Sequence, residues 1–112
     1  MPDELNTQTI DDAAARLAGV IHRTPLELSE RLTSALGVPV LLKREDQQIG
    51  RSYKVRGAYN LISTLSPSER QRGVVCASAG NHGQGVAFAC KKQAIHGKVF
   101  LPSNTPRPAV AS

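Results

Sequence analysis

Val74-Val-Cys-Ala-Ser-Ala-Gly-Asn-His-Gly-Gln-Gly-Val-Ala-Phe-Ala-Cys90 passes from an apolar tetrapeptide through a glycine cluster into an alanine-rich stretch. Val74–Ala77 is short, continuous and apolar, as a buried strand is. Gly80 to Gly85 reads as a glycine-rich loop, and Gln84 to about Gln93 as a helix. Lys98-Val-Phe-Leu101 supplies the next strand. Strand, glycine turn, helix, strand is the arrangement of a parallel crossover, which is right-handed in nearly all proteins.

Working outward, Ser66-Pro-Ser-Glu69 is a helix start, with Ser at the cap, Pro in the first turn and Glu at the third position. That short helix ends at Gly73. Before it, a helix from near Ser52 to Leu65 places Val55, Ala58, Tyr59, Ile62 and Leu65 on one face. Lys43 to Gly50 is a polar loop, and Val38-Pro-Val-Leu-Leu42 reads as a buried strand. Ser29 to Leu36 reads as a helix stopped by Gly37. Thr9-Ile-Asp-Asp12 resembles a capping box, and Ile10, Ala13, Ala14, Leu17 and Ile21 recur behind it at helical spacing. Pro25 biases Thr24 away from helix and ends that element. Pro102 to Ser112 carries three prolines and no periodicity, so it reads as a loop or tail. Three strands alternating with helices predict an α/β architecture, a parallel sheet flanked by helices. The last strand has no covering helix behind it, as expected of a portion of a larger protein.

The 112 residues suffice for one domain at most. A hydrophobic fraction of 40% and a charged fraction of 21% argue for a packed core. With 4% aromatics and no Trp, that core must come from Ala, Val, Leu and Ile. No apolar run approaches the roughly 20 residues of a membrane span. The N-terminus lacks the basic and apolar regions of a signal peptide, so the expected location is the cytoplasm. A net charge of +5 first suggests nucleic acid, but the Lys and Arg residues are spread among acids, with no basic run and no stacking aromatics. Neither nucleic acid nor membrane is the expected partner. Cys76 and Cys90 form no metal or disulfide pattern and read as reduced core residues, and no metal site is expected.

Two stretches can carry chemistry. In Ser78-Ala-Gly-Asn-His-Gly-Gln-Gly85 the glycines allow close backbone approach, and a helix start behind them favours a phosphate or carboxylate. The spacing is neither Gly-x-Gly-x-x-Gly nor a P-loop, and a purely structural tight turn would ask for the same glycines. In Ser52-Tyr-Lys-Val-Arg-Gly-Ala58, Lys54 lies in the first helical turn. The helix dipole, Arg51 and Arg56 all disfavour a further cation there, and such lysines form Schiff bases. A solvated surface lysine is the commoner reading of one such residue.

Taken together with Lys43-Arg-Glu-Asp46, these motifs closely resemble the threonine dehydratase family. These are pyridoxal-phosphate enzymes of the tryptophan synthase β-like fold (fold type II). Thr24-Pro-Leu26 and Leu101-Pro-Ser-Asn-Thr-Pro106 resemble the family's flanking segments, so the likeness runs from about Thr9 to Pro106. Tyr53 stands where Phe is commoner, and Val55 where Leu or Ile is.

The resemblance implies pyridoxal 5'-phosphate held by Lys54 and a small amino acid, L-threonine or L-serine, as substrate. By the resemblance Lys54 would be the catalytic residue. Asn81 would bond the cofactor's 3-hydroxyl and Tyr53 would pack beside its ring. Ser78, Ala79, Gly80, Asn81 and His82 would bind the substrate carboxylate. The implied reaction loses the β-hydroxyl and gives a 2-oxo acid and ammonia, in isoleucine biosynthesis. Arg56 is expected to pair with Glu45 or Asp46, and His82 to bond backbone within its loop.

The family's phosphate-binding glycines and its pyridine-nitrogen partner lie further downstream than Ser112, and Arg107–Ser112 departs from the family pattern. Residues 1–112 are therefore expected to be the N-terminal part of the catalytic domain, an incomplete fold with pieces of its large and small subdomains, and inactive alone. Full-length relatives are expected to be homo-oligomers. Serine racemase or serine dehydratase shares these motifs. A non-catalytic module binding a small anion is the alternative of another class.

Overall fold

A computed structural model of the chain describes residues 4–106. The elements in chain order are α1 (Thr7–Leu17), β1 (Leu26–Leu28), α2 (Glu30–Leu36) and β2 (Leu41–Lys43). Two 3₁₀ turns follow, Glu45–Gln47 and Ile49–Arg51, then α3 (Lys54–Ser63), α4 (Pro67–Arg72), β3 (Val74–Ala77), α5 (Asn81–Gln93) and β4 (Gly97–Phe100).

β3, α5 and β4 form the parallel unit expected, in the register Val74↔Gly97, Val75↔Lys98, Cys76↔Val99 and Ala77↔Phe100. The expectation of one parallel three-stranded sheet is corrected. The earlier strand lies in a separate two-stranded sheet, where β2 pairs antiparallel with β1, Leu28 opposite Leu41. At three residues, β1 is too short to show a periodicity. β2 begins only at Leu41, after Pro39, whose missing N–H cannot join a ladder. Nor is this sheet buried: Leu26, Leu28 and Leu41 are more than half exposed.

The helix starts follow local chemistry. Ser66 and Glu69 form the expected capping box, each accepting from the other's backbone N–H, with Pro67 in the first turn. Ser29 caps α2, and Gly37 closes it in the left-handed conformation. α1 starts earlier than expected. Asn6 is the cap, and Thr9 is its reciprocal partner at the third position. α1 ends at Leu17, the one buried residue of its expected apolar face.

The core lies between α3 and α5. Ala58 and Ile62 of α3 meet Val86, Ala89 and Cys90 of α5, with Ile95 beyond, and Tyr59, Leu65, Val74 and Cys76 pack at its edge. Small residues at the contact let the two helices approach closely. β3 alternates, Val74 and Cys76 toward this core, Val75 and Ala77 outward. Burial of a CH₂ group stabilises by about 0.8 kcal/mol, so truncating Ile62 would cost a few kcal/mol. Pro102 to Pro106 holds neither helix nor strand, and the rest of the expected tail lies outside the described residues. No helix among the described residues is long and apolar enough to cross a membrane.

Gly73 joins α4 to β3 at φ +86°, ψ −176°, where an added Cβ would sit 2.6 Å from the His96 carbonyl oxygen. Gly73→Ala is expected to destabilise by more than about 2 kcal/mol. Gly37→Ala, at φ +71° with open space around it, should cost only about 1 kcal/mol. Urea-unfolding midpoints of the two variants check the order.

Candidate active site

Lys54 is the first residue of α3, and Tyr53 before it makes no side-chain cap. The Lys54 N–H instead donates to Ser52 Oγ at 3.3 Å. The Lys54 ammonium lies 5.0 Å from the centroid of the Tyr53 ring, itself 60% exposed. Such a cation–π contact at an exposed site is worth about 0.5–1 kcal/mol. Lys54 has no ion-pair partner among the described residues.

The second motif departs from its expected form. α5 begins at Asn81, before the expected start at Gln84, so Gly83 as well as Gly85 lies in the helix. Each helical glycine costs about 1 kcal/mol relative to Ala, and close packing explains both. A Cβ on Gly83 would lie 2.8 Å from the Ser78 carbonyl oxygen. A Cβ on Gly85 would lie 3.1 Å from Val55 N and 3.2 Å from Lys54 C and O. Gly85 thus sets the backbone of α5 directly on the peptide that begins α3. Asn81 precedes Gly85 by one helical turn on the same face, about 6 Å along the axis.

Ser78 organises the connection. Its hydroxyl accepts from Gly80 N at 3.2 Å and Gly83 N at 3.1 Å. The Gln84 N–H bonds the Gly80 carbonyl. Among the described residues the Asn81 and His82 N–H groups meet no acceptor, so α5 opens with two free donors at its positive end. His82 is exposed in this first turn, and among the described residues its imidazole bonds no backbone group, a correction to the loop role expected of it. Ala79 and Gly80 are exposed beside it. A cleft of about 400 Å³ opens at the carboxyl ends of β3 and β4, lined by Ala77, Ser78, Ala79, Phe100, Leu101 and Pro102. In open α/β folds ligands bind outside that end of the strands.

Behind α3 lies a polar cluster. Arg56 pairs with Glu45, as expected for one of its two candidates, and Asp46 pairs with Arg44. Arg56 Nε and Nη2 donate to the two Glu45 carboxylate oxygens, each at 2.8 Å. The Thr24 hydroxyl donates to the same carboxylate. Gln48, 3% exposed, accepts from His22 N at 2.9 Å and donates to His22 O at 2.8 Å. A larger cleft near α1, about 510 Å³, has its Lys43 bonded to the Thr24 carbonyl and its Arg56 to Glu45. Neither the Thr24–Glu45 nor the Gln48–His22 bond is legible in the sequence, because a partner more than twenty residues away leaves no spacing signal. Burial pushes both the Cys76 and Cys90 thiols up, so neither is an activated nucleophile. Among the described residues no cluster of His, Cys, Asp or Glu could hold a metal.

A lysine whose backbone lies against the opening turns of a helix with free N–H donors suits a carbonyl-bearing anionic cofactor and a carboxylate substrate. The model of the pyridoxal-phosphate dependent enzyme family matches residues 17–112. The chain belongs to that family. An L-threonine dehydratase (biosynthetic IlvA) of Mycobacterium leprae is 56% identical over 98 residues, covering 88% of this chain and 23% of the relative. That of Bacillus subtilis is 55% identical over 92 residues, 82% of this chain and 22% of the relative. The chain thus spans about a quarter of the length of these curated relatives. Among solved structures of the family, maize serine racemase superposes with a TM-score of 0.88 at 35% identity, over 95% of this chain and 32% of that one. Threonine deaminase isoform 2 of Solanum lycopersicum gives 0.77 at 38%, over 99% of this chain and 34% of that one. The fold is therefore fold type II, represented here in part.

Two outcomes follow from this geometry. The Arg56 guanidinium holds the Glu45 carboxyl down at about 2, against an ordinary 4.5. A carboxyl lowered in the folded state stabilises above its unfolded value, and that contribution is lost as pH falls from about 4.5 toward 2. It amounts to on the order of 1–3 kcal/mol. The fall in urea midpoint between pH 5 and pH 2.5 should therefore be shallower in Glu45→Gln than in the parent. Gly85→Ala, which forces α5 away from the Lys54–Val55 backbone, should destabilise by about 1–3 kcal/mol in the same assay.

Proposed function

We propose that the protein carrying this chain is a pyridoxal-phosphate-dependent ammonia-lyase that converts L-threonine to 2-oxobutanoate and ammonia, in isoleucine biosynthesis. The observation that carries the reading is the seating of Gly85 on the Lys54–Val55 backbone. It brings the amine-bearing start of α3 beside the donor-bearing start of α5. The 53–56% identity to biosynthetic threonine dehydratases supports the substrate.

In this reading the cofactor, when bound, supplies an electron sink for the charge left at the substrate α-carbon. The chain's own residues do the rest. The Lys54 amine would hold the cofactor through its carbonyl carbon and, when free, would take the substrate α-proton at Nζ. Tyr53 packs its ring beside the cofactor. The Asn81 side chain bonds the cofactor's 3-hydroxyl. Ser78 keeps the turn in shape through its two accepted bonds, while Asn81 and His82 offer their free N–H groups to the substrate carboxylate and the exposed Ala79 and Gly80 line its space. Loss of the β-hydroxyl and hydrolysis then release the 2-oxo acid and ammonia. Residues 1–112 form the N-terminal part of the catalytic domain, with pieces of its large and small subdomains, in a cytoplasmic homo-oligomer.

The test uses a hybrid enzyme in which this sequence replaces the aligned segment of the Mycobacterium leprae relative. Borohydride reduction after loading should place a pyridoxyl group on Lys54, mapped by mass spectrometry. Lys54→Ala should abolish that label and lower 2-oxobutanoate formation from L-threonine by more than about a thousandfold. A small-anion module would leave Lys54 unlabelled and bind its anion equally well after the substitution. The maize structure favours a second reading, serine racemisation or dehydration. A higher kcat/KM for L-serine than for L-threonine would select it.

A further inference from the structure

We propose that Glu45 is a positioning residue for the Lys54 amine, acting through Arg56 and the first turn of α3; this rests on Lys54 being the cofactor lysine. The start of α3 is poorly held by its own sequence. Tyr53 offers no cap, no acidic residue lies in the first turn, and the Ser52 bond is long at 3.3 Å. Lys54 and Arg56 instead put cations at the positive end of the helix, which disfavours ordering there. Contacts from elsewhere must hold it.

Gly85 supplies one of these, against the Lys54–Val55 backbone. Glu45 supplies another. Its two oxygens engage the Nε and Nη2 of Arg56 in parallel, a two-pronged bond that restricts rotation as well as distance. The Glu45 side chain is 15% exposed and that of Arg56 34%, so solvent screens the pair only in part. The carboxylate is itself fixed. Thr24, 4% exposed, donates to it, and the Thr24 carbonyl receives Lys43 Nζ. Gln48, one residue beyond Glu45's 3₁₀ turn, ties that turn to both backbone groups of His22. Glu45 therefore connects a rigid frame to a residue two positions from Lys54. Arg44 donates to both Asp46 and Glu27, away from this pair. Glu45 bonds Arg56 and Thr24 and not Lys54, so its loss should act on geometry.

In the hybrid holoenzyme, Glu45→Gln should raise amide exchange of residues 54–58 at least about tenfold. It should lower kcat, counted per pyridoxyl-labelled Lys54, by about 10- to 100-fold, with KM for L-threonine within about twofold. Counting per labelled site removes unfolded or unloaded enzyme, so a merely structural role would leave that kcat unchanged. Arg56→Met should give a similar loss, and the double variant no more than either single one. If Glu45→Gln proves insoluble, Glu45→Asp, which keeps the charge and shortens the reach, serves in its place with a smaller loss. Unchanged exchange at 54–58, unchanged kcat per labelled site, or multiplying losses in the double variant would each overturn the proposal. Raised exchange in a hybrid whose Lys54 takes no label would keep the anchoring by Glu45 and overturn the cofactor reading instead.

Discussion

The contact between Gly85 and the peptide linking Lys54 to Val55 is the constraint on which the rest of the arrangement depends. A helix loses about 1 kcal/mol for each Ala replaced by Gly, and α5 carries two glycines in its first turn and a half. Neither is explained by a turn, since both lie in regular helix. They are explained by distance. With side chains there, α5 would stand off from Ser78 on one side and from α3 on the other. The core behind the crossing is made of Ala58, Ala89 and Val86, small enough to follow the two backbones inward. Tight packing of this kind tolerates few changes in volume.

That crossing also determines which groups share one space. Side chains on a helix face recur every three or four residues, so placing Gly85 on α3 carries Asn81 to the same side. Ser78 then closes the short connection by accepting two N–H groups, which leaves those of Asn81 and His82 facing outward. Free donors at a helix start attract an anion through oriented amides and the helix dipole together. The carboxyl ends of β3 and β4 open into the adjoining cleft. Fold and site are thus two consequences of one close approach.

Much of this was legible from residues alone, and the exceptions are physical. Ser66, Pro67 and Glu69 announce α4 because capping is a local interaction, complete within four residues. The β3–α5–β4 unit is legible because its apolar runs are bounded by glycines. The β1–β2 pair is not, because three exposed residues per strand offer neither periodicity nor burial. Gly83 reads as loop in the sequence because propensity is a local quantity, and a tertiary contact overrides it. The lysine and asparagine motifs were legible through family likeness. Thr24 and Gln48 were not, since each acts through one buried hydrogen-bond pattern whose partner lies more than twenty residues away.

The charge arrangement at α3 shows why such a partner is distant. A helix start is ordinarily favoured by an acid in its own first turn. Here the first turn carries Lys54 and Arg56 and no acid. A local carboxylate would serve the dipole but would stand beside the Lys54 amine, pairing with it and occupying the space an anionic ligand needs. Glu45 supplies the same negative charge from behind the helix, and it is spent on Arg56. Among the described residues the amine is left with the Tyr53 ring as its partner. Departures from local preference tend to gather where a site has to stay available, and α3 resolves its departure by taking its stabilising acid from another part of the chain.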